Sequence, residues 1–123
     1  MDKDELIEFF KERIEGAVSE EKNKRYRNAV ELYYKAMAHI IDYLLYISPE
    51  NIIVEKLKQR LEDINKLDED IASIFREAHV LYRGTYRQSK NIMDCKKLKN
   101  DIKTIAELGK LKETLQEGIK KLS

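Results

Sequence analysis

Apolar residues recur at three- and four-residue intervals through nearly the whole chain, and no stretch shows the sustained two-residue alternation that a half-buried strand requires. The pattern predicts five helices and no sheet. Leu6, Phe10, Ile14 and Ala17 form the stripe of a first helix over Asp2 to Ser19, with acids crowding its first turn, where the helix dipole favours them. It ends in the polar run Ser19 to Lys24. A second helix is expected from about Glu21 to Ile47, with a broad apolar face of Tyr26, Val30, Tyr33, Met37, Ile40 and Leu44, flanked by Ala29, Tyr34, Ala36, Ile41 and Ile47. A face that wide needs two neighbours, which makes this the central helix.

Ser48-Pro49 stops the second helix, because proline disfavours a helical residue before it and suits the first turn of the next helix. The third helix is therefore expected over Pro49 to Leu67, through Ile53, Leu57, Leu61 and Ile64. Asp68 is placed to cap a fourth that carries on to Arg87; the alternative is one unbroken helix from Pro49 to Tyr86. After the polar Gln88 to Asn91, Asn91 caps a last helix through Leu98, Ile102 and Ile105. At Gly109 the stripe changes phase to Leu111, Leu115, Ile119 and Leu122. Either the helix bends there, or the tail packs on something else, such as a second subunit.

A chain of 123 residues makes one domain, residues 1–123, and a domain of that size buries roughly two thirds of the surface its unfolded chain exposes. The expected fold class is all-α, a compact antiparallel bundle of four to six helices. The single Cys95 cannot form an internal disulfide, which points to a reducing compartment. No apolar run approaches the roughly 20 residues of a membrane span, and Met1 to Glu5 lacks the basic and apolar regions of a signal peptide. A soluble, cytoplasmic protein that makes no membrane contact is expected.

Charged residues make up 38% of the chain but the net charge is only +1, so the whole molecule exerts no pull on nucleic acid. The distribution is uneven. Residues 1–21 carry eight acids against three bases, and residues 76–103 carry eight bases against three acids. An electrostatic partner should meet the second region. Within it Arg76, His79, Arg83 and Arg87 fall within about 80° of one another at about 100° per residue, opposite Ile71, Ile74, Ala78, Leu81 and Tyr82. With Lys90 just beyond, these residues are candidates for contacting RNA or nucleotide phosphates, since guanidinium groups one turn apart can clamp successive phosphates. A charged stripe is also what any solvated helix face looks like.

A secondary polar cluster gathers Lys35, His39, Asp42 and Tyr46 on the second helix. There an acid three residues from an imidazole can orient it, while the alternative is a histidine in local hydrogen bonds. Seven tyrosines, five of them in the second helix, suit ring packing with the hydroxyl at an interface margin. Gly84 within the fourth helix would mark the close approach of another helix. There is no Gly-rich phosphate loop, no nucleophile elbow and no convincing metal-ligand spacing, so neither a cofactor nor a metal is expected.

The stretch Lys24 to Leu45, with Tyr33-Tyr-Lys-Ala36 inside it, followed by Leu81-Tyr-Arg-Gly-Thr-Tyr-Arg87, resembles the HEPN superfamily of small, mostly prokaryotic all-helical proteins. The resemblance covers residues 20–90. It implies a four- or five-helix bundle, usually a homodimer, often linked to a nucleotidyltransferase-type protein partner or to RNA. Active members are metal-independent ribonucleases with an Arg followed five residues later by a His. There the His activates the ribose 2′-hydroxyl or protonates the leaving oxygen, and the Arg stabilises the phosphorane.

This chain lacks that spacing: Leu81, Gln88 and Ile92 stand five residues after Arg76, Arg83 and Arg87, and Tyr34 and Ile74 stand five before His39 and His79. No catalytic residue carries over. Tyr26 to Ala36 is also similar to one helix of a tetratricopeptide or MIT-type hairpin, but no repeat accompanies it. The resulting expectation is a non-catalytic HEPN-like binding or accessory protein contacting RNA or nucleotide phosphates through a basic helix face. A protein-interaction scaffold and a divergent metal-independent ribonuclease are the alternatives.

Overall fold

Helix α1 (Lys3–Lys22) begins where the Asp2 side chain accepts the Glu5 N–H at 2.9 Å. Its predicted stripe of Leu6, Phe10, Ile14 and Ala17 is buried. The helix runs past Ser19 because a left-handed residue, Lys24 at φ 60°, closes it. There the Lys24 N–H donates to Glu21 O at 3.0 Å and the Arg25 N–H to Glu20 O at 2.9 Å, the paired bonds of a Schellman motif. The polar run is thus the last turn of α1, and the second helix starts at Tyr26 instead of Glu21. The computed structural model describes residues 2–53, 56–86 and 89–122, and among them all regular structure is helical.

Helix α2 (Tyr26–Ile47) is the central element its broad face predicted, touching four others: α1, α3 (Leu57–Leu67), α4 (Glu69–Arg83) and α5 (Ile92–Leu108). Ser48 ends α2, its hydroxyl donating to Leu45 O at 2.6 Å. The next helix does not start at Pro49. The chain turns instead, with Asn51 left-handed at φ 49° and the Ile52 N–H returning to Leu45 O at 3.0 Å, and α3 begins only at Leu57. The β-branched Ile52 and Ile53 have weak helix propensity and outweigh the proline signal. Ile53 is accordingly solvent-facing; Leu57 and Leu61 are half-buried and Ile64 is sealed.

Asp68 interrupts any continuous helix with an extended backbone, φ −158° and ψ 108°, and caps α4 by accepting the Ile71 N–H at 3.0 Å. Helix α4 ends at Arg83, short of the expected Arg87, with Gly84 as its C-cap and not inside it. One 3₁₀ turn follows over Gly84–Tyr86, where the buried Thr85 hydroxyl donates to Tyr82 O at 2.8 Å. Arg87 lies outside the described residues.

Asn91 caps α5 with a full capping box, accepting from Met93 and Asp94 while Asp94 accepts the Asn91 N–H at 2.9 Å. At Gly109 the helix ends in a second Schellman motif, with left-handed Lys110 at φ 58° and the Leu111 N–H on Ala106 O at 2.7 Å. The chain then folds back through the short helix α6 (Gln116–Ile119) and a 3₁₀ turn (Lys120–Leu122) onto α1 of the same chain. Leu111, Leu115 and Leu122 are buried, Lys11 meets Glu117 at 2.9 Å, and Lys121 meets Glu15. Each such leucine contributes about 1.5–3 kcal/mol, so the tail's neighbour is α1 and no second subunit is needed to cover it. Among the described residues no helix is long and apolar enough to cross a membrane.

Candidate functional site

The basic stripe of α4 borders the buried face instead of opposing it. Phe75 and Ala72, absent from the predicted apolar side, are buried and bring its centre round to about 50° from His79. Arg76 and Arg83 are exposed, whereas His79 turns inward and is half-buried. Its Nδ1 stands 3.0 Å from the Tyr34 hydroxyl of α2. The Tyr34 ring lies parallel to Tyr82 at 4.3 Å between centroids and to Phe75 at 5.5 Å. Stacking therefore fixes Tyr34, and its hydroxyl in turn holds His79, whose ring is tilted against those of Tyr34 and Tyr82. Burial, aided by Arg83, lowers the His79 pKa, and burial pushes the Tyr34 hydroxyl up to about 12.

The second cluster is rearranged by residues outside it. Asp42 does not orient His39. It accepts two hydrogen bonds from Arg60 of α3, from Nε at 2.6 Å and from Nη2 at 2.9 Å. Burial raises the Asp42 pKa against the pull of that guanidinium. Lys35 pairs with Glu31 at 3.1 Å, and Tyr46 packs half-buried on the core. His39 stacks on Phe9 of α1 at 5.7 Å, and its Nε2 is sealed without a hydrogen-bond partner, as is Arg13 Nε. Burial, with Arg13 and Arg60 nearby, pulls His39 down to about 4. A half-buried imidazole whose charge is opposed by burial and by Arg13 and Arg60 is poorly placed to take up a substrate proton.

Lys90 leaves the stripe and joins residues from the other end of the sequence pattern. With Lys24, Arg25, Tyr26, Arg27, Asn28 and Ser89 it lines an open groove of about 360 Å³ at the start of α2. Arg25 is engaged by Glu20, whereas Lys24, Arg27 and Lys90 have no ion-pair partner among the described residues. No side chain caps α2 and no acid stands in its first turn, unlike α1 and α4, so the positive end of a 22-residue helix adds to the same potential.

Sequence reasoning did not single out Lys24, Arg25 and Arg27 as site residues, although a basic run at a helix start where acids are favoured was a readable signal. It also missed Arg13, Arg60 and Tyr34, whose roles depend on partners from other helices. Among the described residues no group of His, Cys, Asp and Glu is arranged to hold a metal ion. Cys95 is buried, and burial raises its thiol to about 12, far from a reactive thiolate. No protein-family model, curated protein or solved structure matches the chain.

Proposed function

We propose that this protein is a non-catalytic, HEPN-like binding protein of the cytoplasm, acting as a homodimer that holds RNA by its phosphates. The observation that supports this reading is the convergence of Lys24, Arg25, Arg27 and Lys90 on one open groove at the positive end of α2. With a net charge of only +1, the molecule as a whole does not attract RNA, so any affinity must come from such a local concentration of cations. Three of the four cations are not neutralised by an acid among the described residues, which leaves them for phosphate. The sealed Nε2 of His39 and the absence of the Arg-then-His spacing favour binding over cleavage.

The test is fluorescence anisotropy with a labelled, mixed-sequence single-stranded RNA at several salt concentrations. Binding should appear at low salt and weaken linearly in log salt. Lys24→Glu with Arg27→Glu should weaken it at least tenfold and flatten the slope by about 1.4, two phosphates at about 0.7 each. The RNA should be recovered uncut. No binding at low salt, or equal binding by the double variant, would overturn the reading. Cleavage abolished by His79→Ala or His39→Ala would make the protein a ribonuclease instead.

A second reading, a protein-interaction scaffold, is favoured by exposed apolar side chains on two touching elements, Val80 of α4 and Ile92 and Met93 at the start of α5. It predicts a complex, whether with a nucleotidyltransferase-type protein or with a second copy, that sediments as one species and dissociates in Val80→Asp plus Met93→Asp. The groove variants would leave such a complex intact.

A further inference from the structure

Tyr34 is 6% exposed, and its ring is stacked on Tyr82 and Phe75. Its hydroxyl has one partner among the described residues, His79 Nδ1 at 3.0 Å. If Nδ1 carried the imidazole proton, the hydroxyl would accept it, and its own O–H would be left without an acceptor beside apolar rings. The opposite arrangement satisfies both groups: the hydroxyl donates to an unprotonated Nδ1, and the proton of the neutral ring sits on Nε2. His79 Nε2 makes no hydrogen bond within the protein among the described residues. It is also not one of the buried side-chain atoms without a hydrogen-bond partner, which among the described residues are Arg13 Nε and His39 Nε2. It therefore opens towards solvent, on the same helix face as Arg83 one turn on, whose charge is close enough to act on the imidazole.

We propose that His79 and Arg83 form a phosphate-oxyanion contact on α4, in which His79 is a neutral Nε2–H donor held in that tautomer by the Tyr34 hydroxyl. The donor pair matches an anionic oxygen: Arg83 brings the charge and a fork of N–H groups, and His79 brings one directed N–H whose bearing is set by the hydrogen bond to the stacked Tyr34. Tyr34 is a positioning residue that never meets the ligand. The assignment gives the histidine a binding role in place of a general-base role, because the basic nitrogen, Nδ1, faces the protein and is already occupied. This contact is separate from the groove at the start of α2 and does not depend on it.

Long-range ¹H–¹⁵N spectroscopy of the uniformly labelled protein at pH 7.5 tests the proposal, first with inorganic phosphate and then with a short single-stranded RNA. The unliganded protein should show the Nε2–H tautomer for His79, and Tyr34→Phe should convert it to a mixture while the helical circular dichroism is retained. Phosphate or RNA should shift His79 Nε2 and Arg83 Nε in a saturable manner. A response to RNA alone identifies phosphodiester as the ligand, and a response to inorganic phosphate identifies a free or terminal phosphate.

Arg83→Gln should weaken the response at least fivefold. His79→Gln, whose amide nitrogen can donate from a similar position, should keep affinity within about threefold, whereas His79→Ala should not. Lys24→Glu with Arg27→Glu should leave the inorganic-phosphate shifts of His79 and Arg83 in place while weakening RNA binding, so failure of the groove and failure of this contact are distinguishable. An Nδ1–H tautomer in the unliganded protein would overturn the proposal. So would resonances of His79 and Arg83 that neither probe moves.

Discussion

Arg60 grips Asp42 with two parallel hydrogen bonds, Nε to Oδ1 at 2.6 Å and Nη2 to Oδ2 at 2.9 Å, and so ties α3 to the central helix. Both side chains are largely enclosed, at 18% and 17% exposure. Removing one partner strands the other charge, which costs more than the intact pair contributes. Asp42→Ala and Arg60→Ala should each destabilise by about 2–4 kcal/mol in urea denaturation. Asp42→Leu with Arg60→Met should return to within about 1 kcal/mol of the parent, since the apolar pair strands nothing. Additive losses in the double variant would refute this account.

Gly118 of α6 seats the tail against Phe10 of α1. A Cβ added there would stand 2.5 Å from Phe10 Cε2, closer than a methyl can come to a ring that is itself sealed in the core. Gly118→Ala should therefore cost about 1–3 kcal/mol, although alanine is the better helix former. The loss should be smaller when Phe10 is already Leu, because the shorter side chain leaves room for the methyl. Equal losses in both backgrounds would show that the close approach does not set the requirement for glycine.

Local hydrogen bonds were legible in the sequence and long-range pairings were not. Asp68 and Asn91 were readable as caps because each bonds N–H groups two or three residues ahead. The stripes of α1 and α2 were readable because helical spacing alone selects a buried face. The start of α3 was misread because a proline in a helix-initiating position says nothing about the β-branched residues after it. The basic stripe was placed opposite the core because Phe75 and Ala72 were left out of the apolar side, and this hid the inward turn of His79. Asp42 with Arg60, Tyr34 with His79, and Lys90 with Lys24 and Arg27 join residues on different elements, and no spacing rule connects them.

The left-handed position after α5 is filled by Lys110, where glycine is the usual residue of a Schellman motif. A left-handed conformation costs a non-glycine residue about 1–2 kcal/mol, and glycine's greater freedom in the unfolded chain returns about 0.5–1 kcal/mol of that. Lys110→Gly should thus stabilise the protein by about 0.5–1 kcal/mol, read as a higher urea midpoint at unchanged slope. Lys110→Val should destabilise it, because a β-branched side chain tolerates that conformation least. The adjacent Gly109 should gain no stability from Ala, since its Cβ would approach Leu44 Cδ2 to 2.9 Å and Ile105 O to 3.2 Å and the leucine would have to shift. A stabilising Gly109→Ala together with a neutral Lys110→Gly would reverse the roles assigned to the two positions.

His39 makes stability depend on pH in a defined window. Its pKa is about 4 in the folded chain against 6.5 unfolded, because burial and the neighbouring Arg13 and Arg60 oppose its charge. Above about pH 7.5 both states are neutral at this site and stability does not change. Between 6.5 and 4 the unfolded chain takes up the proton and the folded chain does not, so stability falls as pH falls. By pH 5 the loss should reach about 2 kcal/mol, with a further decrement of the same sign from His79, whose pKa is also lowered. The ion-paired carboxylates Glu15, Glu20 and Glu117 have depressed pKa values, so their contribution is lost only below about pH 4.5, while Asp42, raised by burial, acts in the opposite sense and offsets part of the histidine loss as pH falls. His39→Leu should abolish most of the slope between pH 6.5 and 5. It should also be at least as stable as the parent at pH 7, because it removes a sealed nitrogen that has no partner. Urea midpoints that stay flat from pH 7 to 5 in the parent, or an undiminished slope in His39→Leu, would show that the imidazole is not held neutral by its surroundings.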